Sequence, residues 1–340
     1  MAAIVCLGVV QSHATTAYAT TLPCQIDGAL EEAAAEVLSS DGPVDPEELV
    51  AIVRRAGGGV PSVRGLRLVA ENGVLISEWI RQTEQDLEAP IVCGVARDDA
   101  GILILAGARQ GSLRIDMRPE LWVRAQLEDS VHSPHLVVRD GLGEMLRISL
   151  DEEGLDQGVG LPPHLRSPIR VQLMAVGSRG PLPVAERVVL LAEGQDESFA
   201  DERASERSVT TGQAGPRWVD AVRAQRGASP ARNNRLLRAV AQAHAVDVCA
   251  SGRVGHELVP GADPEVRLRR NGVRARVVGE VVARASDRDA TRQALLRSPS
   301  HHLTLVDSRF TDVGYGEATN AQEQTCTVVL LAAWPRVVPR

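Results

Sequence analysis

Residues 297–305 read R-S-P-S-H-H-L-T-L, two adjacent histidines behind a Ser-Pro in a chain with only eight histidines. Ser298 suits the N-cap of a helix and Pro299 its first helical position. Along a helix the two histidines diverge by about 100°, so a single cleft takes only one of them. The positive end of the helix disfavours imidazolium, which keeps His301 neutral and able to ligate. His302 reads as a surface or packing residue. Upstream lie W-V-D-A-V-R (218–223), R-L-L-R-A-V-A-Q-A-H-A-V-D-V-C (235–249), G-R-V-G-H-E (252–257), R-L-R-R-N-G (267–272) and G-E-V-V-A-R-A (279–285). Downstream follow F-T-D-V-G-Y-G (310–316) and T-C-T-V-V-L-L-A-A-W (325–334), the latter a buried strand by composition. The 235–249 stretch is an amphipathic helix whose apolar face is expected to carry Leu236, Val240, Ala243 and Val246. His244 is expected to pack or hydrogen-bond within it, away from any site.

This ordered series, over residues 213 to 335, resembles the CAP superfamily: cysteine-rich secretory proteins, antigen 5, pathogenesis-related proteins and their bacterial relatives. The resemblance implies an α/β/α sandwich with a central antiparallel sheet and a shallow cleft. It also implies a cleft lined by two histidines and one or two glutamates, the histidines able to hold a divalent metal, often zinc. Carried over residue by residue, His256 and His301 match the metal-holding histidines, and Glu280 the glutamate of the family's G-E-N. Departures are Asp220 for Asn, Val281 for the Asn after Glu280, Leu295 for Trp and Ser300 for Gly. The second glutamate of eukaryotic members has no counterpart, since Asp287 and Asp289 do not match its position.

With 340 residues and 44% hydrophobic content, the chain can bury more than one core. All 37 basic residues are arginine, and the net charge of −7 argues against a nucleic-acid binder. No apolar run approaches the length of a membrane-spanning helix. Residues 1–19 are expected to be a signal peptide, with an apolar run at 2–10 and Ala17-Tyr18-Ala19 as a small-x-small cleavage site. Cleavage there removes Cys6 and leaves Cys24, Cys93, Cys249 and Cys326. Four cysteines allow three pairings. Two in each half favour Cys24–Cys93 and Cys249–Cys326 as disulfides in an oxidising compartment.

Residues 24–118 read as a small helical α+β subdomain, with D-P-E-E (45–48) opening a helix and LRLVA, VLISEWI and GILILAG as strands or short helices. Residues 119–193 change to period two, in the rhythm of an immunoglobulin-like β-sandwich. His132, His135 and His164 are scattered there without ligand spacing and read as surface or loop residues. The polar stretch 194–212 is a linker. The five arginines between 267 and 276 read as a solvated face. The fold class is therefore α+β. The expected function is a secreted, periplasmic or cell-surface module binding an extracellular lipid, polysaccharide or protein, with zinc or another divalent metal in a His256/Glu280/His301 cleft. The alternative is a metal-dependent, peptidase-like hydrolase with Glu280 as base; no H-E-x-x-H or G-x-S-x-G supports it.

Overall fold

The computed structural model describes residues 9–10, 22–40, 44, 46–99, 101–117, 120–191 and 215–334. The expected linker and Asp45, the expected helix cap, lie outside these residues. So does the expected leader except Val9–Val10, which pair in parallel with Arg67–Leu68.

Three sheet-based units follow one another. The first has five strands, β1 (Val9–Val10), β2 (Gln25–Ile26), β3 (Arg64–Leu68), β4 (Ile91–Asp98) and β5 (Gly101–Ala108), in the order β1-β3-β5-β4-β2. Helices α1 (Gly28–Leu38) and α2 (Pro46–Arg55) bury Leu30, Ala33, Ile52 and Val53 against Val92 and Leu103 on one side. On the other, α3 (Gly73–Leu87) lays Ile76 and Ile80, one turn apart, over Leu66, Ile102 and Ile104. VLISEWI thus resolves as helix, because the Asn72 side chain caps Leu75 N at 3.1 Å and the buried isoleucines recur at four residues. The Cys24–Cys93 disulfide ties the chain entering this unit to β4.

The second unit is two antiparallel sheets around one core. One holds β6 (Gly111–Met117), β7 (Leu121–Leu127) and β10 (Val159–Gly160), in the order β10-β7-β6. The other holds β8 (His132–Arg139), β9 (Met145–Ser149), β11 (Ile169–Gly177) and β12 (Gly180–Val189), in the order β12-β11-β8-β9. A short helix, α4 (Glu152–Gln157), leads into β10. Leu113, Val123, Leu136, Val138, Val171 and Leu173 fill the space between the sheets. Because β6 pairs with β7 throughout and buries Leu113, this unit begins at Gly111, eight residues before the change of period read from sequence.

The third unit has three layers. Its sheet runs β13-β15-β16-β14, from β13 (Arg232–Asn233), β14 (Val277–Ala285), β15 (Asp312–Thr319) and β16 (Thr325–Ala333). β13 is parallel to β15, and the other pairings are antiparallel. α5 (Gly215–Gln225), α8 (Arg288–Arg297) and α9 (Pro299–Val306) pack Trp218, Leu295 and Leu305 on Val281 and Val329. On the opposite face, α6 (Arg235–Ser251) and α7 (Pro264–Arg270) pack Leu237, Val248 and Leu268 on Val282 and Val328. α6 lies directly on β15, since a Cβ at Gly314 or Gly316 would fall 2.2–2.3 Å from the backbone of Leu237 or Ala241. That contact is the physical content of the G-Y-G in F-T-D-V-G-Y-G.

The buried stripe of α6 differs from the expected one. Leu237, Val240, Ala241, His244, Ala245, Val248 and Cys249 face the sheet, whereas Leu236 and Val246 are exposed. The face is fixed by the glycine contact at one end and by the Cys249–Cys326 disulfide to β16 at the other. Apolar spacing in an alanine-rich helix leaves two stripes one residue apart almost equally good. Both disulfides join the expected partners.

Candidate functional site

Glu280 is central. It sits on β14 with Val278 and Val282 on the face toward α6 and α7, and its side chain is 1% exposed. A buried carboxylate needs partners for both oxygens, and it has them. Oε1 lies 2.9 Å from His256 Nδ1, and Oε2 accepts from Arg267 Nη2. Burial pushes the carboxyl pKa up, but the His256 hydrogen bond and the Arg267 charge outweigh it and hold it below the usual value. Glu280 is therefore ionised across the neutral range.

Arg267 departs from the solvated face read for the 267–276 arginines. Its side chain is largely buried, and its guanidinium also donates to the carbonyls of His256 (2.5 Å) and Ala262 (2.7 Å). It leaves α7, whose start is capped by Asp263 on Val266 N at 2.7 Å, and turns back to fix the 252–263 loop carrying His256. The fork of a guanidinium suits three acceptors at once. His244 is also nearer the centre than expected. Its Nε2 donates to Gly255 O at 3.0 Å, as a hydrogen-bonding role required, yet it lies 3.8 Å from Glu280 Oε1. Burial lowers its pKa against the pull of Glu280, so it is neutral beneath the site.

With His256 Nδ1–H donating to the carboxylate, Nε2 is the ring nitrogen left for a further partner, the arrangement by which a carboxylate orients an imidazole. His301 is 7% exposed, and its Nδ1 has no hydrogen-bond partner. Burial, then the neighbouring His256, places its pKa well below the ordinary value. His301 is neutral as expected, but from desolvation first. Both histidines border one cleft of about 710 Å³.

Ser298 occupies the N-cap position of α9 without capping it. The cap comes from the second unit: Gln172 Oε1 on β11 accepts from Ser300 N at 3.0 Å, and Gln172 Nε2 reaches Ser298 Oγ at 3.3 Å. Gln172 Nε2 also donates to Glu186 on β12 at 3.2 Å, and Glu186 pairs with Arg54 of α2 at 2.9 Å. A buried polar line thus runs from the first unit to the helix of His301. His302, on the far side of α9, is buried rather than superficial and has Nδ1 3.2 Å from Leu296 O. Burial, with Arg139 and Arg226 nearby, lowers its pKa to about 3.

His135, read as a surface residue, is half-buried on β8 and borders the same cleft. His132 and His164 are exposed, beside Ser133 and Glu144. Sequence alone offered no signal for Gln172 or His135, because the groups of α9 and β14 that they meet or face lie more than a hundred residues away in the chain. In the W-V-D-A-V-R stretch, Arg223 is buried and donates to the carbonyls of Leu305, Asp307 and Phe310 at 2.9–3.1 Å. Asp220 does what an Asn carbonyl would do, accepting from Ala231 N at 3.0 Å.

As a metal centre, the donor set is two imidazoles, of which that of His301 is neutral. Both oxygens of Glu280 are engaged, and among the described residues no three His, Cys, Asp or Glu side chains gather around one point. Two histidines bordering one cleft fall short of the three protein ligands of a catalytic zinc. No helix among the described residues is long and apolar enough to cross a membrane.

No curated relative matches the chain. Among solved structures, an outer surface protein from Borrelia burgdorferi is 18% identical, over 40% of this chain and 94% of that one, with a TM-score of 0.32. An extracellular protein containing an SCP domain from Bacillus anthracis is 14% identical, over 74% and 83%, with a TM-score of 0.31. A cysteine-rich secretory protein from Staphylococcus aureus is 11% identical, over 74% and 90%, with a TM-score of 0.29. Scores this low carry no argument. The family model does: residues 217–331 match CAP, the cysteine-rich secretory protein family, and the third unit of this chain is a CAP domain.

Proposed function

We propose that this chain is a secreted or cell-surface binding module whose CAP cleft takes an extracellular ligand or partner, with a divalent cation such as zinc held by His256 and His301. One observation carries the reading. Glu280 engages Nδ1 of His256 and leaves its Nε2 for another partner, Nδ1 of neutral His301 is unpartnered, and both residues border one cleft. A bound cation would supply positive charge there. Glu280 would orient His256 and balance Arg267. Its two engaged oxygens and lowered pKa suit that task better than the proton abstraction a hydrolase needs.

In this reading residues 1–19 are a leader, 24–110 a small α+β subdomain, 111–193 an immunoglobulin-like sandwich that includes β6, and 194–212 a linker, before the CAP domain at 213–335. Numbering the seven sandwich strands in chain order gives 5-2-1 on one sheet and 7-6-3-4 on the other, which supports the immunoglobulin-like assignment.

Calorimetric titration with zinc tests the cation. The wild type should show one weak site that His256→Ala and His301→Ala each abolish. Equal heats in all three proteins would remove the metal from the proposal.

A further inference from the structure

The cleft does more than border two histidines: it runs along the open edge of a strand. β14 is the outermost strand of its sheet, with a neighbour on one side only. Val277, Val278, Gly279, Glu280 and Val282 all border the cleft. Successive strand residues point to opposite faces. A space that touches consecutive ones therefore lies beside the strand, where its unpaired N–H and C=O groups point. Across from this edge stands the outward face of the second unit's larger sheet, with Val137, Met174, Val176, Pro181 and Pro183.

We infer that this edge accepts an extended peptide of about six residues as a fifth strand, which makes the second unit a wall of the binding site. The inference rests on the proposal that the CAP cleft is the ligand site, and it names the ligand class. An open edge repeats its donors and acceptors every two residues, about 6.8 Å, a spacing that a polypeptide backbone matches and a sugar or acyl chain does not. Residues 277–282 span roughly 20 Å, the length of six extended residues. The volume of about 710 Å³ lies within the usual range for small ligand sites. Valine, methionine and proline form the middle of the two walls, so the central side chains of the peptide are small or branched and apolar, while Arg147, Glu265, Asp307 and Arg309 border the space with both signs of charge. Ser133, His135 and Arg147 on the facing sheet offer partners to its outer edge. A second copy of the chain is a poorer occupant, because its own β14 edge brings flanking helices that two walls exclude.

The test is selection of a random heptapeptide display library on the full-length chain. An enriched peptide is then resynthesised with alternate backbone nitrogens methylated, in each of the two registers. Methylation in one register should weaken binding at least roughly tenfold, with little effect in the other. The unmethylated peptide should slow amide exchange across residues 277–282, and Pro181→Arg, an exposed change on the facing wall, should block it. No enrichment, equal insensitivity in both registers, or protection elsewhere would overturn the inference. So would concentration-dependent dimerisation that protects 277–282 without peptide, which would give the edge to a second copy. Zinc binding through His256 and His301 without peptide enrichment would sink this inference alone; loss of both would sink the cleft as a ligand site.

Discussion

One sheet face presents two unlike surfaces. On the outward side of β8, β11 and β12, residues two apart share a face, and its character changes midway. At one end Arg139, Gln172 and Glu186 are buried against the CAP domain and the first unit, with Arg139 donating to Leu296 O at 3.0 Å and Gln172 capping α9. At the other end Val137, Met174 and Val176 stand across from β14 with a cleft between. Polar side chains bridge the units where they touch, and at the cleft valine, methionine and proline stand among Ser133, His135 and Arg147. Buried polar contacts fix direction and distance in a way that apolar packing does not. The docked end therefore sets the width of the open end, and with it the placement of His301.

Changes at the docked end should accordingly cost stability, and changes at the open end should cost binding alone. The largest effect is expected for Glu186→Ala, which strands the buried Arg54 guanidinium and removes one Gln172 acceptor. Breaking such a pair typically costs about 3–5 kcal/mol, measurable as a lower urea midpoint. If Glu186→Ala unfolds no earlier than wild type, the line from α2 to α9 is not structural.

Acid pH should come next. His302 has a lowered pKa of about 3, while an unfolded histidine titrates near 6.5. Between these values the unfolded chain binds the proton and the folded one does not. Stability should therefore fall as pH drops from about 6.5 toward about 3, by roughly 1.4 kcal/mol per unit from this group. Urea midpoints in EDTA, with His302→Leu as reference, check this; parallel pH slopes in the two proteins would contradict it.

Gln172→Ala should cost about 1–2 kcal/mol, the scale of a lost helix cap. It should also shift the imidazole NMR signals of His301 while leaving those of His256 in place. Movement of both, or of neither, would break the assignment of Gln172 to α9. At the open end, Pro181→Arg should change stability by less than about 0.5 kcal/mol. A larger loss would mean that the cleft wall is packed and not free.

The parts legible in the sequence were those carried by local order. His256, Glu280 and His301 emerged from the succession of motifs, and the disulfides from the count of cysteines in each half. What escaped depended on partners distant along the chain. Arg267 looks like one of five solvated arginines until the fold brings Glu280 to it. Gln172 sits in an ordinary alternating strand and becomes a helix cap only when two units dock. Ser298-Pro299 marked the start of α9 correctly, yet the hydrogen bond expected from Ser298 comes from elsewhere. The stripe of α6 slipped by one residue because alanines on both flanks left hydrophobicity undecided, and close packing on glycine decided it.

The proposed cation site rests on two ring nitrogens of residues that border one cleft, Nε2 of His256 and Nδ1 of His301. Long-range ¹⁵N–¹H correlation of the histidine rings at neutral pH, with and without zinc, addresses it directly. His256 should appear as the Nδ1–H tautomer with an unprotonated Nε2, His301 should be neutral, and zinc should shift these two rings while His132 and His164 stay put. A His256 carrying its proton on Nε2, or zinc shifts confined to the exposed histidines, would contradict the account.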